Sequence, residues 1–330
     1  MISVVNDQLT GMTIRRIAIR DGGGLVQRCA RDGLATVRQA DLPAAVAARD
    51  HAYARRRCRL HAYRVPDVRG RCIRENPQPC CGETAVRAQT MLDLHCHILP
   101  GLDDGARDLD DAVAMAFQAE ADGVVAICAT PHIRHDHDVR IAELPDRRTE
   151  LSATLRDRRC ATRVLAGGEV AATALDGLDD AELLSLTLGG GGRWILLEPA
   201  PGPVDDAFDD AVRRLHGRGF RALIAHPERH AGADLVERLR ALVAQGALVQ
   251  ATAAFLTDEQ VAPGMLALAG AGVVHVLGSD AHSSRAGRPV ALSAAVRALA
   301  AVPLLGPHVQ WVATAAPEAI VRGEQPRPPF

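Results

Sequence analysis

The 330-residue chain is long enough for one large domain or two modest ones, and its 48% hydrophobic content is that of a globular protein. Its formal net charge of −2 is unevenly distributed, because residues 1–90 carry 16 arginines against 8 acidic residues and residues 91–330 carry 22 against 32. The acidic balance of the second part argues against a nuclease, which must attract a phosphate backbone. The sequence shows no secretory signal and no apolar run of the ~18 residues that cross a membrane. We therefore expect a cytoplasmic protein that does not insert into membranes and binds no nucleic acid.

Residues 1–90 form a basic, Cys/Arg-rich segment with little hydrophobic periodicity. Three interpretations are open: a disordered basic tail, a small metal module, and an extension upstream of a misassigned start at Met91. The metal module would use Cys58, Cys72, Cys80, Cys81 and the nearby His51 or His61. Their spacings do not repeat as paired C-x-x-C motifs do. We favour the misassigned start, because an ordered motif begins at once after Met91, and we expect residues 91–330 to be the functional domain.

Apolar runs alternate with amphipathic segments from Met91 onward. The apolar runs predict seven strands, at residues 92–97, 124–132, 162–171, 194–200, 221–228, 247–256 and 273–282. The amphipathic segments predict helices at residues 108–123, 139–159, 205–217, 233–245 and 290–301, with a further helical stretch before the last strand. This alternation is typical of an α/β protein whose parallel sheet is covered by helices, and seven units favour a barrel over an open sheet. Functional groups of such a barrel gather at the carboxyl ends of its strands.

Residues of the types that bind metal ions recur at the predicted carboxyl ends of six strands. They are His95, His97, His132, Glu169, Glu198, His226, Asp280 and His282, with Asp104 in the loop after the first strand. Strand side chains two residues apart share a face, so both members of the H-x-H and D-x-H pairs point the same way. Five imidazoles and four carboxylates suit Mn²⁺, Zn²⁺ or Fe²⁺, and nine ligands suffice for two or three ions. Taken singly, such residues are more often surface or capping residues, and Asp103 beside Asp104 is typical of a turn. That explanation does not account for their recurrence at one strand end after another.

The segments DLHCH, TPH, GGE, AHPER and SDAH, in this order, resemble the motifs of the polymerase and histidinol phosphatase (PHP) superfamily. The segment HILPGLDDG further resembles the bacterial metal-dependent protein-tyrosine phosphatases of capsule and exopolysaccharide loci. The resemblance runs from Met91 to about residue 325. It implies a distorted TIM-like (β/α)7 barrel with a metal site at the C-terminal ends of the strands. It also implies a site of three divalent ions, usually manganese, held by all nine residues, with Glu169 bridging two of them.

The resemblance also implies a reaction and a partner. The expected activity is hydrolysis of phosphotyrosine on a bacterial polysaccharide-assembly tyrosine kinase, which regulates capsule or exopolysaccharide biosynthesis. Arg229 of HPER matches a phosphate-binding arginine. Arg288 of GRP matches a second, with Arg285 as its nearest rival because the spacing from Asp280 is offset by one residue. Some relatives assemble into rings, so a homo-oligomer is left open.

The sequence departs from the family pattern in several places, among them PAPGP after Glu198, where relatives carry an aromatic or hydrophobic residue. His230 stands where an aromatic residue is common after HPER, and the loop IRHDHD after His132 is unusually charged. Arg134, His135 and His137 of that loop either contact substrate or are solvated, and we favour the second interpretation.

The sequence leaves three alternative functions open. A small-molecule phosphoesterase of the same superfamily, similar to histidinol phosphatase, is the main alternative, and a binding protein with an inactive barrel is disfavoured by the complete set of nine residues. A thiolate phosphatase would need a Cys-x5-Arg loop. That spacing occurs at Cys58–Arg64, Cys81–Arg87 and Cys128–Arg134. The first lacks the glycines of such a loop, the second lies in the N-terminal segment, and we interpret Cys128 as a core residue of a buried strand.

Overall fold

The structure is a computed structural model that describes residues 2–9, 12–21, 24–29, 90–230 and 232–329. It divides into two units, Met1–Arg38 and Gln39–Phe330. In the first unit, the strands β1 (Ile2–Leu9), β2 (Met12–Asp21) and β3 (Gly24–Cys29) pair antiparallel in chain order. The metal module considered for residues 51–81 and the Cys58–Arg64 and Cys81–Arg87 segments lie outside the described residues. The nature of residues 1–90 therefore stays a prediction.

The second unit is built on parallel strands. They are β4 (Met91–Cys96), β5 (Val124–Ala129), β6 (His132–Ile133), β7 (Arg163–Leu165), β8 (Glu169–Ala171), β9 (Trp194–Glu198), β10 (Arg221–Ile224), β11 (Leu248–Thr252) and β12 (Val276–Gly278). They form two ladders, β4-β5-β7 and β12-β11-β10-β9-β8-β6, in which every pairing is parallel. Cys96 forms a parallel bridge with Ala281, just beyond β12, so the ladders join and the sheet curls. The predicted α/β fold with a parallel sheet is confirmed at this level.

Helices follow most of the strands. They are α1 (Leu109–Asp122), α2 (Leu144–Asp157), α3 (Asp180–Ser185), α4 (Asp206–Gly217), α5 (Leu235–Ala244), α6 (Ala262–Gly270), α7 (Ser293–Leu299) and α8 (Ala316–Val321). Asp108 caps the start of α1 by accepting from the backbone N–H of Asp111, and Gly123 ends the helix in the left-handed conformation. Among the helices of the described residues, none combines the length and the apolarity that crossing a bilayer requires.

Two predicted strands are wrong in one respect, because each is broken into two. The strand predicted at 124–132 divides into β5 and β6, and the one predicted at 162–171 divides into β7 and β8. Pro131 lacks the N–H that a continuous ladder requires, and its carbonyl instead accepts from Glu169 N at 3.0 Å. At the second break, a Cβ added at Gly168 would lie 2.5 Å from Cδ2 of the buried Leu186, which would have to shift.

Several predicted elements end or begin differently, and the strands predicted at 247–256 and 273–282 are the shorter β11 and β12. The helix predicted at 139–159 is a 3₁₀ helix (Ile141–Glu143) followed by α2, and the one predicted at 290–301 is the shorter α7. The strand predicted at 221–228 stops at Ile224, and a 3₁₀ helix (Pro227–His230) carries the end of the HPER motif. The functional residues of that motif therefore stand on a turn beyond β10.

The core has two parts. A large cluster joins one face of the sheet to the helices, and a smaller cluster gathers the opposite face of β4, β5, β9, β10, β11 and β12 with Ala316 and Ile320 of α8. Trp194 in the smaller cluster is fully buried, and its indole N–H donates to the carbonyl of Glu324 at 2.7 Å. Cys128 belongs to the same cluster and is fully buried, as interpreted from the sequence. This apolar layer leaves the polar residues at the strand ends to form a layer of their own.

Candidate metal centre

All nine side chains predicted as metal ligands lie together, although His132 and Glu169 are the first residues of β6 and β8 and not, as predicted, at the carboxyl ends of strands. They fall into four overlapping groups whose ligand atoms lie within 4.8 Å of one another. These are His97, Asp104, His132 and His282; His95, His226 and Asp280; His95, His97 and Glu169; and His132, Glu169 and Glu198. We call the first of these the outer group, because it contains Asp104 and His282, whose side chains are 61% and 22% exposed. The overlap means that neighbouring ions would share ligands.

Glu169, the first residue of β8, lies at the centre of the groups and is fully buried. Its Oε1 is 3.2 Å from His95 Nε2 and 2.9 Å from His226 Nε2. Its Oε2 is 2.9 Å from His132 Nδ1 and 3.3 Å from His97 Nε2. Burial alone would raise the pKa of this carboxyl, but the surrounding imidazoles outweigh it and hold the pKa well below its usual range. A carboxylate with each oxygen between two imidazoles has the arrangement of a bridging ligand.

Asp280 is held by two arginines. Its Oδ2 accepts from Nη2 of Arg229 and, at 3.1 Å, from Nη2 of Arg288, while its Oδ1 lies 3.4 Å from His95 Nε2. Burial would raise the pKa of Asp280, but the two guanidinium charges outweigh burial and lower it well below its usual range. Asp280 (φ 49°) and His226 (φ 27°) both adopt left-handed backbone conformations, which are strained for residues other than glycine. Such strained backbone conformations are typical of functional positions.

Hydrogen bonds outside the groups orient the imidazoles. Nδ1 of His95 lies 3.0 Å from Gln250 Oε1, and Nδ1 of His97 lies 2.8 Å from Asp103 Oδ2. The backbone N–H of His226 also donates to Gln250 Oε1, which identifies that atom as the amide oxygen. Burial would lower the pKa of His97, but its contacts with Asp103 and Glu169 outweigh burial and raise it to about 10. An imidazole that donates from Nδ1 turns the lone pair of Nε2 toward the centre, as metal-binding histidines do.

The last two predicted ligands are Glu198, whose side chain is largely buried, and Asp104, whose side chain is exposed. Oε2 of Glu198 is 3.9 Å from His132 Nδ1, and the side chain is 13% exposed. Burial and the charge of Glu169 raise the pKa of Glu198 to about 7. Asp104 reaches the centre from the loop after β4, with Oδ1 3.4 Å from His132 Nε2 and 3.5 Å from His282 Nε2.

A cavity of about 320 Å³ opens onto the groups. Six of the nine residues line it together with three arginines, Arg134, Arg229 and Arg288. Arg134 was interpreted as solvated, but its Nη1 is 3.6 Å from Glu198 and its Nη2 donates to Asp136 at 2.6 Å. His137 of the same loop stacks on His132, with ring centroids 5.0 Å apart. The charged loop therefore forms part of the cavity wall.

The structure separates Arg288 from its rival Arg285. Arg288 is nearly buried, lines the cavity and donates from Nε to the carbonyl of Asp280 at 2.8 Å. Arg285 is exposed and makes two hydrogen bonds of 3.1 Å with Asp108, at the start of α1. Arg288 is thus the arginine whose position suits an anion in the cavity.

The donor set fits divalent ions. Among the described residues, the buried Nδ1 of His226 has no hydrogen-bond partner. Unsatisfied buried polar atoms are costly unless another group or an ion satisfies them. The imidazoles also crowd one another, with the His97 and His282 rings stacked at 3.9 Å and the His97 and His132 rings 4.4 Å apart. Close imidazoles interleaved with carboxylates are the arrangement that Mn²⁺, Zn²⁺ or Fe²⁺ stabilises.

Comparison with known proteins decides the family. Residues 91–302 match the family model described as capsular polysaccharide synthesis, CpsB/CapC. The chain belongs to the CpsB/CapC family. The resemblance to capsule-locus proteins that the motifs indicated is therefore confirmed, and it begins at Met91, where the first motif strand begins.

Curated and solved relatives of this CpsB/CapC protein agree. The tyrosine-protein phosphatase YwqE of Bacillus subtilis (strain 168) is 33% identical over 204 residues, which are 58% of this chain and 78% of YwqE. The putative tyrosine-protein phosphatase CapC of Staphylococcus aureus is 28% identical over 200 residues, 58% of this chain and 77% of CapC. A solved structure described as YwqE from Bacillus subtilis and CpsB from Streptococcus pneumoniae, unique metal-dependent tyrosine phosphatases, superposes with a TM-score of 0.62. It is 29% identical and covers 73% of this chain and all of its own.

Sequence analysis of this CpsB/CapC protein missed two residues at the centre. Gln250 is the one strongly polar residue in an otherwise apolar strand, β11, and that contrast was the available signal. Asp103 was considered a turn former, although it contacts His97. Its signal was the doubled aspartate of LDDG, but nothing local distinguishes the two carboxylates.

Proposed function

We propose that this chain is a metal-dependent protein-tyrosine phosphatase, a phosphoric monoester hydrolase. The observation that carries the proposal is the set of four overlapping ligand groups at a cavity with three arginines, in a member of the CpsB/CapC family. YwqE and CapC are named tyrosine-protein phosphatases. The substrate class is phosphotyrosine on a protein, and the partner is a bacterial tyrosine kinase of a capsule or exopolysaccharide locus. That kinase, a cytoplasmic location and a homo-oligomer stay predictions.

The proposed catalytic unit is residues 91–330, and its proposed architecture is a distorted TIM-like (β/α)7 barrel with the metal site at the C-terminal ends of the strands. Two observations support it. The strands β5 and β6 follow one another, as do β7 and β8, so the nine short strands make seven passes. The Cys96–Ala281 bridge joins the first pass to the last.

The proposed cofactor is a cluster of three divalent ions, with Mn²⁺ as the expected metal and Zn²⁺ or Fe²⁺ as alternatives. His95, His97, Asp104, His132, Glu169, Glu198, His226, Asp280 and His282 would hold it. Glu169 would bridge, because each of its oxygens faces two imidazoles. Clustered divalent ions lower the pKa of a bound water, which makes attack on phosphorus feasible near neutral pH.

Side chains of this protein would bind the phosphoryl group and keep the ligand Asp280 ionised. Arg229 and Arg288 line the cavity and would donate to the phosphoryl oxygens, where negative charge accumulates during transfer. The two arginines also keep Asp280 ionised, so it remains a ligand at neutral pH. The leaving tyrosyl phenolate has a parent pKa of ~10, which makes it a tolerable leaving group.

A substrate panel tests the proposal. The full chain, stripped of metal and then assayed with and without Mn²⁺, would be given a phosphotyrosine peptide, a phosphoserine peptide and histidinol phosphate. We expect Mn²⁺-dependent hydrolysis of the phosphotyrosine peptide, with kcat/KM at least tenfold above that for either other substrate. Asp280→Ala is expected to abolish turnover with the fold retained. Preference for histidinol phosphate would assign the chain to small-molecule hydrolysis instead, and full activity without metal would contradict the metal mechanism.

A further inference from the structure

We propose that Asp103 is a positioning residue of the metal centre, and that it makes the outer group competent to bind its ion. The inference rests on the proposed metal-dependent phosphatase. Asp103 is not a member of any of the four groups, and its neighbour Asp104 is. Of these two adjacent carboxylates, Asp104 would bind the ion and Asp103 would orient the residues that bind it.

The contacts of Asp103 converge on the outer group from three segments of the chain. Its Oδ2 lies 2.8 Å from His97 Nδ1 and accepts from the backbone N–H of His132 at 2.9 Å. Its Oδ1 accepts from the backbone N–H of Gly105 at 2.9 Å, which closes the turn that carries Asp104. The carboxylate is only 1% exposed, although the turn itself lies at the surface. One buried carboxylate therefore orients one ligand ring, the backbone of a second ligand and the loop of a third.

The turn is built against His97. Ala106 N donates to the carbonyl of His97 at 2.9 Å, and a Cβ at Gly105 would clash with that carbonyl and with the Cβ of His97. The close approach holds the Asp103 carboxylate at a fixed distance from the ring. On the other side of the turn, Asp104 Oδ1 faces His132 Nε2 at 3.4 Å and His282 Nε2 at 3.5 Å.

The hydrogen bond to Nδ1 decides which ring nitrogen of His97 is free. A carboxylate that accepts from Nδ1–H leaves the Nε2 lone pair for an ion and increases its basicity, and loss of such a partner typically costs 10–100-fold in metal affinity. In Asp103→Asn, the amide oxygen would serve Gly105 N as before. The amide NH₂ would then face His97 Nδ1–H and His132 N–H, donor against donor. His97 would respond by carrying its proton on Nε2, where it blocks coordination.

A purely structural role makes a different prediction. If Asp103 only shaped the turn, Asp103→Asn would lower stability equally with and without metal and would leave metal affinity unchanged. Asp108→Asn is the matched control, because Asp108 likewise accepts from a nearby backbone N–H, that of Asp111, and lies in none of the four groups. Asparagine is as good a helix N-cap as aspartate, so this control retains its cap.

The test uses the full chain, stripped of metal and titrated with Mn²⁺ by calorimetry, with bound ions counted after equilibrium dialysis and melting followed with and without Mn²⁺. We expect Asp103→Asn to bind one ion per chain fewer than wild type at a Mn²⁺ concentration that saturates wild type. Its weakest site should lose about 10–100-fold in affinity. The Mn²⁺-induced rise in Tm should shrink in Asp103→Asn, whereas in Asp108→Asn it should stay that of wild type. Unchanged ion number and affinity in Asp103→Asn would overturn the inference and leave the proposed function standing. A wild type that binds no Mn²⁺ would overturn both.

A second measurement needs no variant and covers the case in which Asp103→Asn does not fold. In Zn²⁺-loaded wild type labelled with ¹⁵N, long-range proton–nitrogen spectra report which imidazole nitrogen carries the proton. We expect His97 to be protonated at Nδ1, toward Asp103. Protonation at Nε2 would overturn the inference.

Discussion

Replacing Arg229 by alanine isolates the contribution of one cation to the proposed reaction. Arg229 lines the cavity, and its side chain is 25% exposed, whereas that of Arg288 is 9% exposed. Arg229 is thus the more accessible of the two to a bound phosphoryl group. Removing one preorganised donor to developing negative charge typically lowers kcat about 10²–10³-fold, which is about 2.7–4 kcal/mol. We expect Arg229→Ala to fall in that range on a phosphotyrosine peptide.

The structure also predicts that metal content survives the change. Asp280 loses the hydrogen bond from Arg229 but keeps that from Arg288 Nη2 at 3.1 Å, and Arg288 Nε still holds the carbonyl of Asp280 at 2.8 Å. One adjacent cation remains to keep the carboxylate ionised. Ions counted after dialysis should therefore match wild type, so the loss appears in turnover.

The assay compares kcat and KM of Arg229→Ala with those of Arg285→Ala under saturating Mn²⁺. Arg285 pairs with Asp108 at the surface and does not line the cavity, so its removal should change kcat less than twofold. The reasoning would be refuted if Arg229→Ala kept kcat within threefold of wild type. It would also be refuted if Arg229→Ala lost bound Mn²⁺ in proportion to its activity.

Three further predictions follow from the same geometry. Because a ligand must be deprotonated to bind metal, and burial and Glu169 raise the pKa of Glu198 to about 7, Mn²⁺ affinity should fall as the pH drops from 8 to 6. Calorimetry at the two pH values checks this, and equal or tighter binding at pH 6 would contradict it. Burial raises the pKa of the Cys128 thiol to about 12, so thiol-alkylating reagents should leave activity unchanged, and rapid inactivation would favour the thiolate mechanism. Trp194→Ala should lower the free energy of unfolding by about 3–5 kcal/mol, because it empties a buried site; an unchanged urea midpoint would show that the apolar layer is not as packed as described.

The sequence predicted the gathering of the nine residues for a physical reason. Parallel strands end at one edge of a sheet, and their side chains alternate with period two. Residues such as His95 and His97 at one strand end, and Asp280 and His282 at another, therefore approach each other wherever a parallel sheet curls. The structure brings all nine together, although their binding of metal stays a prediction.

What the sequence did not predict depends on contacts between distant segments. The segments around Pro131 and Gly168 were interpreted as continuous strands, although proline and glycine are local strand breakers. That the chain changes ladder at each break depends on strand pairing, which the local sequence does not show. Asp103 contacts the His97 imidazole from the loop after β4, and Gln250 contacts the His95 imidazole from β11. These contacts depend on how the distant segments pack, which the residue types alone do not predict. Arg134 looked solvated because its loop is polar, and its place on the cavity wall follows from the fold of β6.

Anomalous X-ray scattering at the manganese edge, from crystals of the catalytically active Mn²⁺-loaded chain, tests the central claim most directly. We expect three anomalous peaks among the four ligand groups, each within coordination distance of the predicted ligands. An active protein whose manganese lies elsewhere, or whose crystals contain none, would contradict it.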